Sequence, residues 1–210
     1  MTFSICMRTV TRAENYCAAT IQRLLETGTI QHRDVRGFHV SHGEGLTPNQ
    51  NGFQALRMAA HDAADWIIFI EDDIDIIDDF IGSVERWLAK FATPEVLAYP
   101  LGSFYPTITP WHHERGAWDI PCDMYYGSQA VLFRTCDALD FARWAEQSGR
   151  DTEFDLHIAQ WQEARTSSGA RLLTPAPCFV DHVGVKSAMG SWERTGRMLD
   201  FPGRAWSYHG

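Results

Sequence analysis

The sequence predicts a single α/β domain with a mostly parallel central sheet flanked by helices. Three observations point there. Apolar strand-like runs and segments of helical periodicity are mixed along the chain, with no internal repeat and no low-complexity linker. The run WIIFI, residues 66–70, is continuously apolar where a half-exposed strand would alternate, so it reads as a central strand covered on both faces. Finally, 210 residues with 45% hydrophobic content suffice for one well-buried domain and are too few for two comfortable ones.

Taken in order, FSICMRTV reads as a short buried strand, and RAENYCAATIQRLLETG as a helix that stops at a glycine. GFHVSHG is a second strand. TPNQNGFQALRMAAHDAAD is a helix with Thr47 as its N-cap and Pro48 in its first turn, and it leads straight into WIIFI. GSVERWLAKFA follows as a surface helix and VLAYPLG as a strand. Residues 103–124, SFYPTITPWHHERGAWDIPCDM, are dense in Pro, Trp, His and Gly and are expected to form one long loop presenting aromatic side chains. GSQAVLFRT is then a buried strand, CDALDFARWAEQSG and EFDLHIAQWQEART are helices, and RLLTPAPCFVDHVG is one strand ending on a histidine. Periodicity fades from Ser187, so residues 1–190 are expected to form the domain and 191–210 a tail or lid.

A formal net charge of −9 gives no general electrostatic footprint for nucleic acid or an anionic membrane, although a local basic groove is compatible with it. The five cysteines are scattered and form no C-x-x-C pair, which indicates neither a disulfide framework nor a zinc knuckle and suits the cytoplasm. The N-terminus lacks the basic and apolar regions of a signal peptide, and no segment has the length to span a bilayer, so no membrane partner is expected.

The chemistry concentrates just after WIIFI, where Glu71, Asp72, Asp73, Asp75, Asp78 and Asp79 crowd the C-terminal end of the predicted strand. In open α/β sheets that edge is where ligands bind. Like charges this close repel, which calls for a cation. Asp78 and Asp79 also suit the first turn of a helix beginning near Phe80. An EF-hand register fails, because Val84 falls where a glutamate is needed. Two readings stay open: the DID element as the nucleophile pair of a haloacid-dehalogenase-type phosphatase, or EDD as a D-x-D-type metal motif for a nucleotide sugar.

The chain resembles small GT-A glycosyltransferases, whose fold is Rossmann-related, and three segments in order resemble the N-acetylglucosaminyltransferase IV family. NQNGFQALRMAAHDAADWIIFIEDDI is similar to that family's Gln-Asn helix, strand and EDD element, DTEFDLHIAQW to its acidic, Trp-containing helix, and PCFVDHVGVKSAMG to its Q-H-V-G-x-H-S-S segment. The resemblance covers residues 49–190 apart from the aromatic loop. It departs in length, in having no lectin-like or anchoring addition, and in Lys186, which stands where the family has a second histidine.

The resemblance implies a divalent cation, Mn²⁺ or Mg²⁺, held by Asp73 and His182, with Glu71 or Asp72 facing the donor ribose or sugar and Asn51 on the donor side. Arg8 and Lys186 are candidates for the diphosphate. Alignment on Trp161 and on the ED helix signature implies Glu153 as the base that deprotonates the acceptor, with Asp155 in reserve; both also suit an ordinary first helical turn. Gly127 and Ser128 resemble the small-residue turn beneath a sugar. Trp111, His112, His113 and Trp118 form a candidate acceptor platform, because aromatic faces stack on sugars and bases. The reading is a cytoplasmic, bacterial or phage, inverting transferase using a UDP-sugar. Its acceptor is a glycan, a small molecule or a hydroxymethylated DNA base. The alternatives are the phosphatase and a domain that binds a nucleotide sugar or glycan without turnover.

Overall fold

A computed structural model describes residues 1–10, 16–102, 114–125, 127–150, 152–166 and 170–183. Its elements are β1 (Phe3–Arg8), α1 (Tyr16–Glu26), β2 (Val35–Ser41), α2 (Pro48–Ala60), β3 (Trp66–Glu71), β4 (Ile74–Ile76), α3 (Phe80–Phe91), β5 (Ala98–Pro100), β6 (Ala117–Pro121), β7 (Ala130–Arg134), α4 (Thr135–Ser148), α5 (Phe154–Arg165), β8 (Arg171–Pro175) and β9 (Val180–His182). The main sheet has the order β2-β1-β3-β7-β5. β1 runs parallel to both β2 and β3, while β7 is antiparallel to β3 and to β5. As expected, the central sheet is mostly parallel, and it belongs to one domain.

β3 shows why an unbroken apolar run was needed. Its Trp66, Ile68 and Ile70 enter one core with Leu24 of α1 and Val84, Trp87 and Leu88 of α3. Its Ile67 and Phe69 enter the opposite core with Phe53 and Leu56 of α2, Phe141 of α4 and Ile158 of α5. Successive side chains of a strand face opposite ways, so a strand with helices on both sides must be apolar at every position. The result is a three-layer sandwich.

Local signals set several boundaries. Thr47 caps α2 in a reciprocal box: the Gln50 amide donates to Thr47 Oγ1 at 3.3 Å, and the Thr47 amide donates to Gln50 Oε1 at 2.9 Å, with Pro48 at the start of the helix. In α2, Gly52 leaves room for Phe154 of α5, since a Cβ there would lie 2.5 Å from the Phe154 ring.

Two expectations need correction. RLLTPAPCFVDHVG is not one strand: it breaks into β8 and β9, between which lies the cis Ala176–Pro177 peptide bond. β8 pairs with β6, and β9 with β4. The expected long loop also contains β6, where Trp118 lies opposite Thr174 of β8 and is only 7% exposed, packed into the α2/α4/α5 core. Trp118 is therefore a core residue and not part of an exposed aromatic platform. Pairing with β8 and burial of alternate side chains make a strand of a segment whose Pro and Gly content reads as loop.

Candidate active site

The parallel register sets one row of residues at the C-terminal edge of the sheet. Ser41 of β2 lies beside Arg8 of β1, and Arg8 beside Glu71 of β3. Arg8 Nη2 donates to Glu71 Oε1 at 2.5 Å and more distantly to Ser128 Oγ at 3.4 Å, while Ser128 Oγ donates to Glu71 Oε1 at 2.7 Å. The guanidinium stacks over the Phe69 and Phe154 rings, 5.5 and 5.0 Å from their centroids. Arginine suits this position because its flat face is apolar enough to stack while its edge donates.

The acidic run divides in two. Asp75 accepts from Arg23 Nε at 2.7 Å and Asp78 from Arg23 Nη2 at 3.0 Å, so one arginine on α1 neutralises two of the outer carboxylates. Asp79 occupies the N-cap position of α3 with a positive φ of 42° and makes no capping bond; it pairs instead with Arg86 at 2.7 Å. The inner three carboxylates turn toward the strand ends. Asp72, buried, accepts from the Thr9 hydroxyl, and its carbonyl accepts from Thr20 Oγ1 at 2.8 Å, tying the ends of β1 and β3 to α1. Asp73 Oδ2 lies 3.2 Å from His182 Nε2 in a nearly sealed pair.

That pair is made by the β4–β9 ribbon. Ile74 stands opposite His182, and the Val183 amide donates to the Asp73 carbonyl at 2.9 Å, so the backbone itself holds the two side chains together. Burial would push the His182 imidazole down, but the Asp73 carboxylate, backed by Glu71 and Asp181, raises it above its ordinary value. Among the described residues no group of three or more His, Cys, Asp or Glu side chains is arranged to hold a metal ion. Among the described residues, the pair offers one carboxylate and one imidazole.

On the other side of Arg8, Asp155 is buried in the first turn of α5. Its Oδ2 accepts from the Gly127 amide at 2.7 Å and its Oδ1 from its neighbour's Leu156 amide at 2.8 Å, which fixes the turn before β7. Gly127 has a φ of 101°, a conformation open to glycine and costly for other residues. Burial raises the Asp155 carboxyl against the pull of those two amides, with Glu71 adding to the rise and Arg8 opposing it. Glu153 stands at the N-cap of α5 without using its side chain as a cap, and burial followed by the charge of Asp155 raises it above the usual carboxylate range.

Asn51, from α2, donates from Nδ2 to the Thr9 carbonyl at 2.9 Å, and Gly43, with φ 67°, lets the amide approach closely. Among the described residues, Asn51 Oδ1, Ser41 Oγ and Tyr125 Oη are buried polar atoms with no hydrogen-bond partner. Next to Ser41 an open cleft of about 360 Å³ is walled by Val40, Leu46 and Met58 with Gln54. No local spacing in the sequence marks Thr9, Ser41 or Tyr125: each reads as an ordinary strand-end or core residue. Trp111, His112, His113 and Lys186 lie outside the described residues, as does the expected tail at 191–210.

The fold is the GT-A glycosyltransferase fold. Over 95% of this chain and 99% of the other, it matches the structure of a glycosyltransferase involved in the glycosylation of the major capsid of PBCV-1, with a TM-score of 0.57 at 12% identity. Two looser likenesses, too distant to bear on function, are the galactosyltransferase LgtC in complex with donor and acceptor sugar analogues (TM-score 0.43, 9% identity, 76% of this chain and 69% of that one) and the 4-diphosphocytidyl-2C-methyl-D-erythritol synthase of Anaerococcus prevotii (TM-score 0.45, 9% identity, 83% and 89%). No protein-family model and no curated protein sequence matches the chain.

Proposed function

We propose that the protein transfers a hexosyl or N-acetylhexosaminyl group from a nucleotide sugar, a UDP-sugar in the first instance, to an acceptor hydroxyl with inversion. The observation that carries this reading is the Asp73–His182 pair at the C-terminal edge of a GT-A sheet, beside the Arg8–Glu71–Ser128 cluster. One carboxylate and one imidazole suit Mn²⁺ and admit Mg²⁺, ions that take few protein ligands when phosphate oxygens and water supply the rest. Bound there, the cation would neutralise charge on the departing diphosphate.

The remaining roles belong to the chain's own residues. Arg8 and Lys186 hold the diphosphate, Glu71 or Asp72 faces the donor ribose or sugar with Asn51 on the donor side, and Gly127 and Ser128 lie beneath the sugar. Glu153 removes the proton of the acceptor hydroxyl, and its raised proton affinity suits a base working nearer neutrality. Asp155 is the second candidate, although both its oxygens already accept backbone amides. Trp111, His112 and His113 stack on the acceptor. The net charge of −9 opposes a polyanion, so a glycan or small molecule is favoured over a hydroxymethylated DNA base. The phosphatase reading needs Asp75 beside Asp73 at the metal, whereas Asp75 is engaged by Arg23. The five cysteines form no disulfide, which suits the cytosol, and among the described residues no helix is long and apolar enough to cross a membrane.

A thermal-shift panel of nucleotide sugars with Mn²⁺ or with EDTA tests the reading. UDP-sugars are expected to stabilise the protein only with the metal. Stabilisation by none of them, together with phosphate release from a generic phosphomonoester, would overturn it. Donor binding without turnover on any acceptor would instead indicate the binding domain.

A further inference from the structure

Tyr125 lies between a short 3-10 turn at Cys122–Met124 and the Gly127 turn, and its ring packs in the core shared with Trp118, Ile120 and Phe154. The residue is 3% exposed, and its hydroxyl has no hydrogen-bond partner among the described residues. A phenol in that state is disfavoured twice, because it has lost water and gained no protein partner. Phenylalanine would fill the same volume without that penalty. The hydroxyl nevertheless sits within the electrostatic reach of Asp155, Glu71 and Arg8, the groups that line the candidate active site.

We infer that the Tyr125 hydroxyl is a sugar-binding group, which hydrogen-bonds a hydroxyl of the transferred hexose at the floor of the site. This inference rests on the nucleotide-sugar reading. The surroundings select the chemical class. The carboxylates of Asp155 and Glu71 repel a phosphate beside the Tyr125 hydroxyl. A neutral polyol is not repelled and can both donate to those carboxylates and accept from the phenol. Burial, reinforced by Asp155 and Glu71, holds the phenol well above its ordinary value, so it stays protonated and can donate. Asp155 fixes the Gly127 turn two residues further on, which keeps this corner of the floor in place.

Tyr125→Phe separates the role of the hydroxyl from that of the ring. Calorimetric titrations in Mn²⁺ would compare UDP, UDP-glucose and UDP-N-acetylglucosamine on wild type and variant, alongside thermal melts without ligand. The expected result is an unliganded Tm equal to or above that of wild type, unchanged affinity for UDP, and a loss of about tenfold in affinity for the preferred UDP-sugar. Unchanged UDP-sugar affinity in the variant would overturn the inference and leave the donor reading standing. A lower unliganded Tm would show that the hydroxyl is satisfied within the fold, and would also overturn it. Equal affinity of wild type for UDP and UDP-sugars would overturn this inference alone, whereas binding of neither would remove the donor reading and this inference with it.

Discussion

His182 Nε2 lies 3.2 Å from Asp73 Oδ2, and the two are brought together by the antiparallel pairing of β4 with β9. Because the Val183 amide bonds the Asp73 backbone carbonyl, either side chain can be removed without dismantling the ribbon. This makes the pair accessible to mutation.

Mn²⁺ is expected to raise the thermal midpoint of the wild type by mass action. Asp73→Ala should abolish that shift and the activity with it. His182→Ala should weaken the shift without removing it, since the carboxylate remains. The measurement is a Mn²⁺ titration of Tm with an EDTA control; undiminished activity in excess EDTA would remove the metal from the mechanism.

Glu153 and Asp155 should separate by phenotype. Glu153→Gln loses a base and no hydrogen bond of the fold, so donor affinity and Tm should hold while kcat falls by about 10²- to 10⁴-fold. Asp155→Asn places an amide where the carboxylate accepts the Gly127 and Leu156 amides, and should cost about 1–3 kcal/mol of stability. Urea unfolding alongside single-turnover rates distinguishes the two, and a fully stable, inactive Asp155→Asn would make Asp155 the base.

Arg8→Met should be more damaging than its position near the surface suggests. It leaves the Glu71 carboxylate, whose side chain is 18% exposed, with Ser128 as its one remaining hydrogen-bond partner among the described residues, at a cost of about 3 kcal/mol. Arg8→Lys should also destabilise, because an ammonium cannot both stack on Phe154 and reach Glu71 and Ser128. In a double-mutant cycle measured by urea melts, Arg8→Met combined with Glu71→Gln should lose less than the sum of the single changes.

His157 gives a pH dependence of defined sign. Its ring stacks parallel to Phe53, with centroids 6.3 Å apart, and neither ring nitrogen has a hydrogen-bond partner among the described residues. Burial, then the charge of Arg150, holds the imidazole below its ordinary value of 6.5. Below that pH the unfolded chain takes up a proton that the folded chain resists, so stability falls as pH falls toward the depressed folded value. His157→Phe should therefore show a smaller drop in Tm than wild type between about pH 7.5 and about pH 5.5. Raised carboxyls such as Glu153 act in the opposite sense, but they are common to both proteins and cancel in the comparison.

Features encoded over a few consecutive residues were legible in the chain itself. WIIFI declared a doubly covered strand, Thr47, Pro48 and Gln50 declared the start of α2, and the carboxylates declared that something happens at the end of β3. These signals are local, because strand burial, helix capping and charge crowding act between residues that are neighbours in sequence.

Only the tertiary structure decided which carboxylates remain at the sheet edge and which are neutralised elsewhere. Arg23 engages Asp75 and Asp78 from α1, and β9, three residues long, delivers His182 to Asp73. A three-residue strand is too short to carry a readable period, and an arginine on a helix gives no hint of which acid it will meet. The same holds for Trp118, whose surrounding prolines and glycine read as loop until β8 pairs with the segment and buries it. Such contacts depend on how distant segments pack, and packing energy is not written in any window of the sequence.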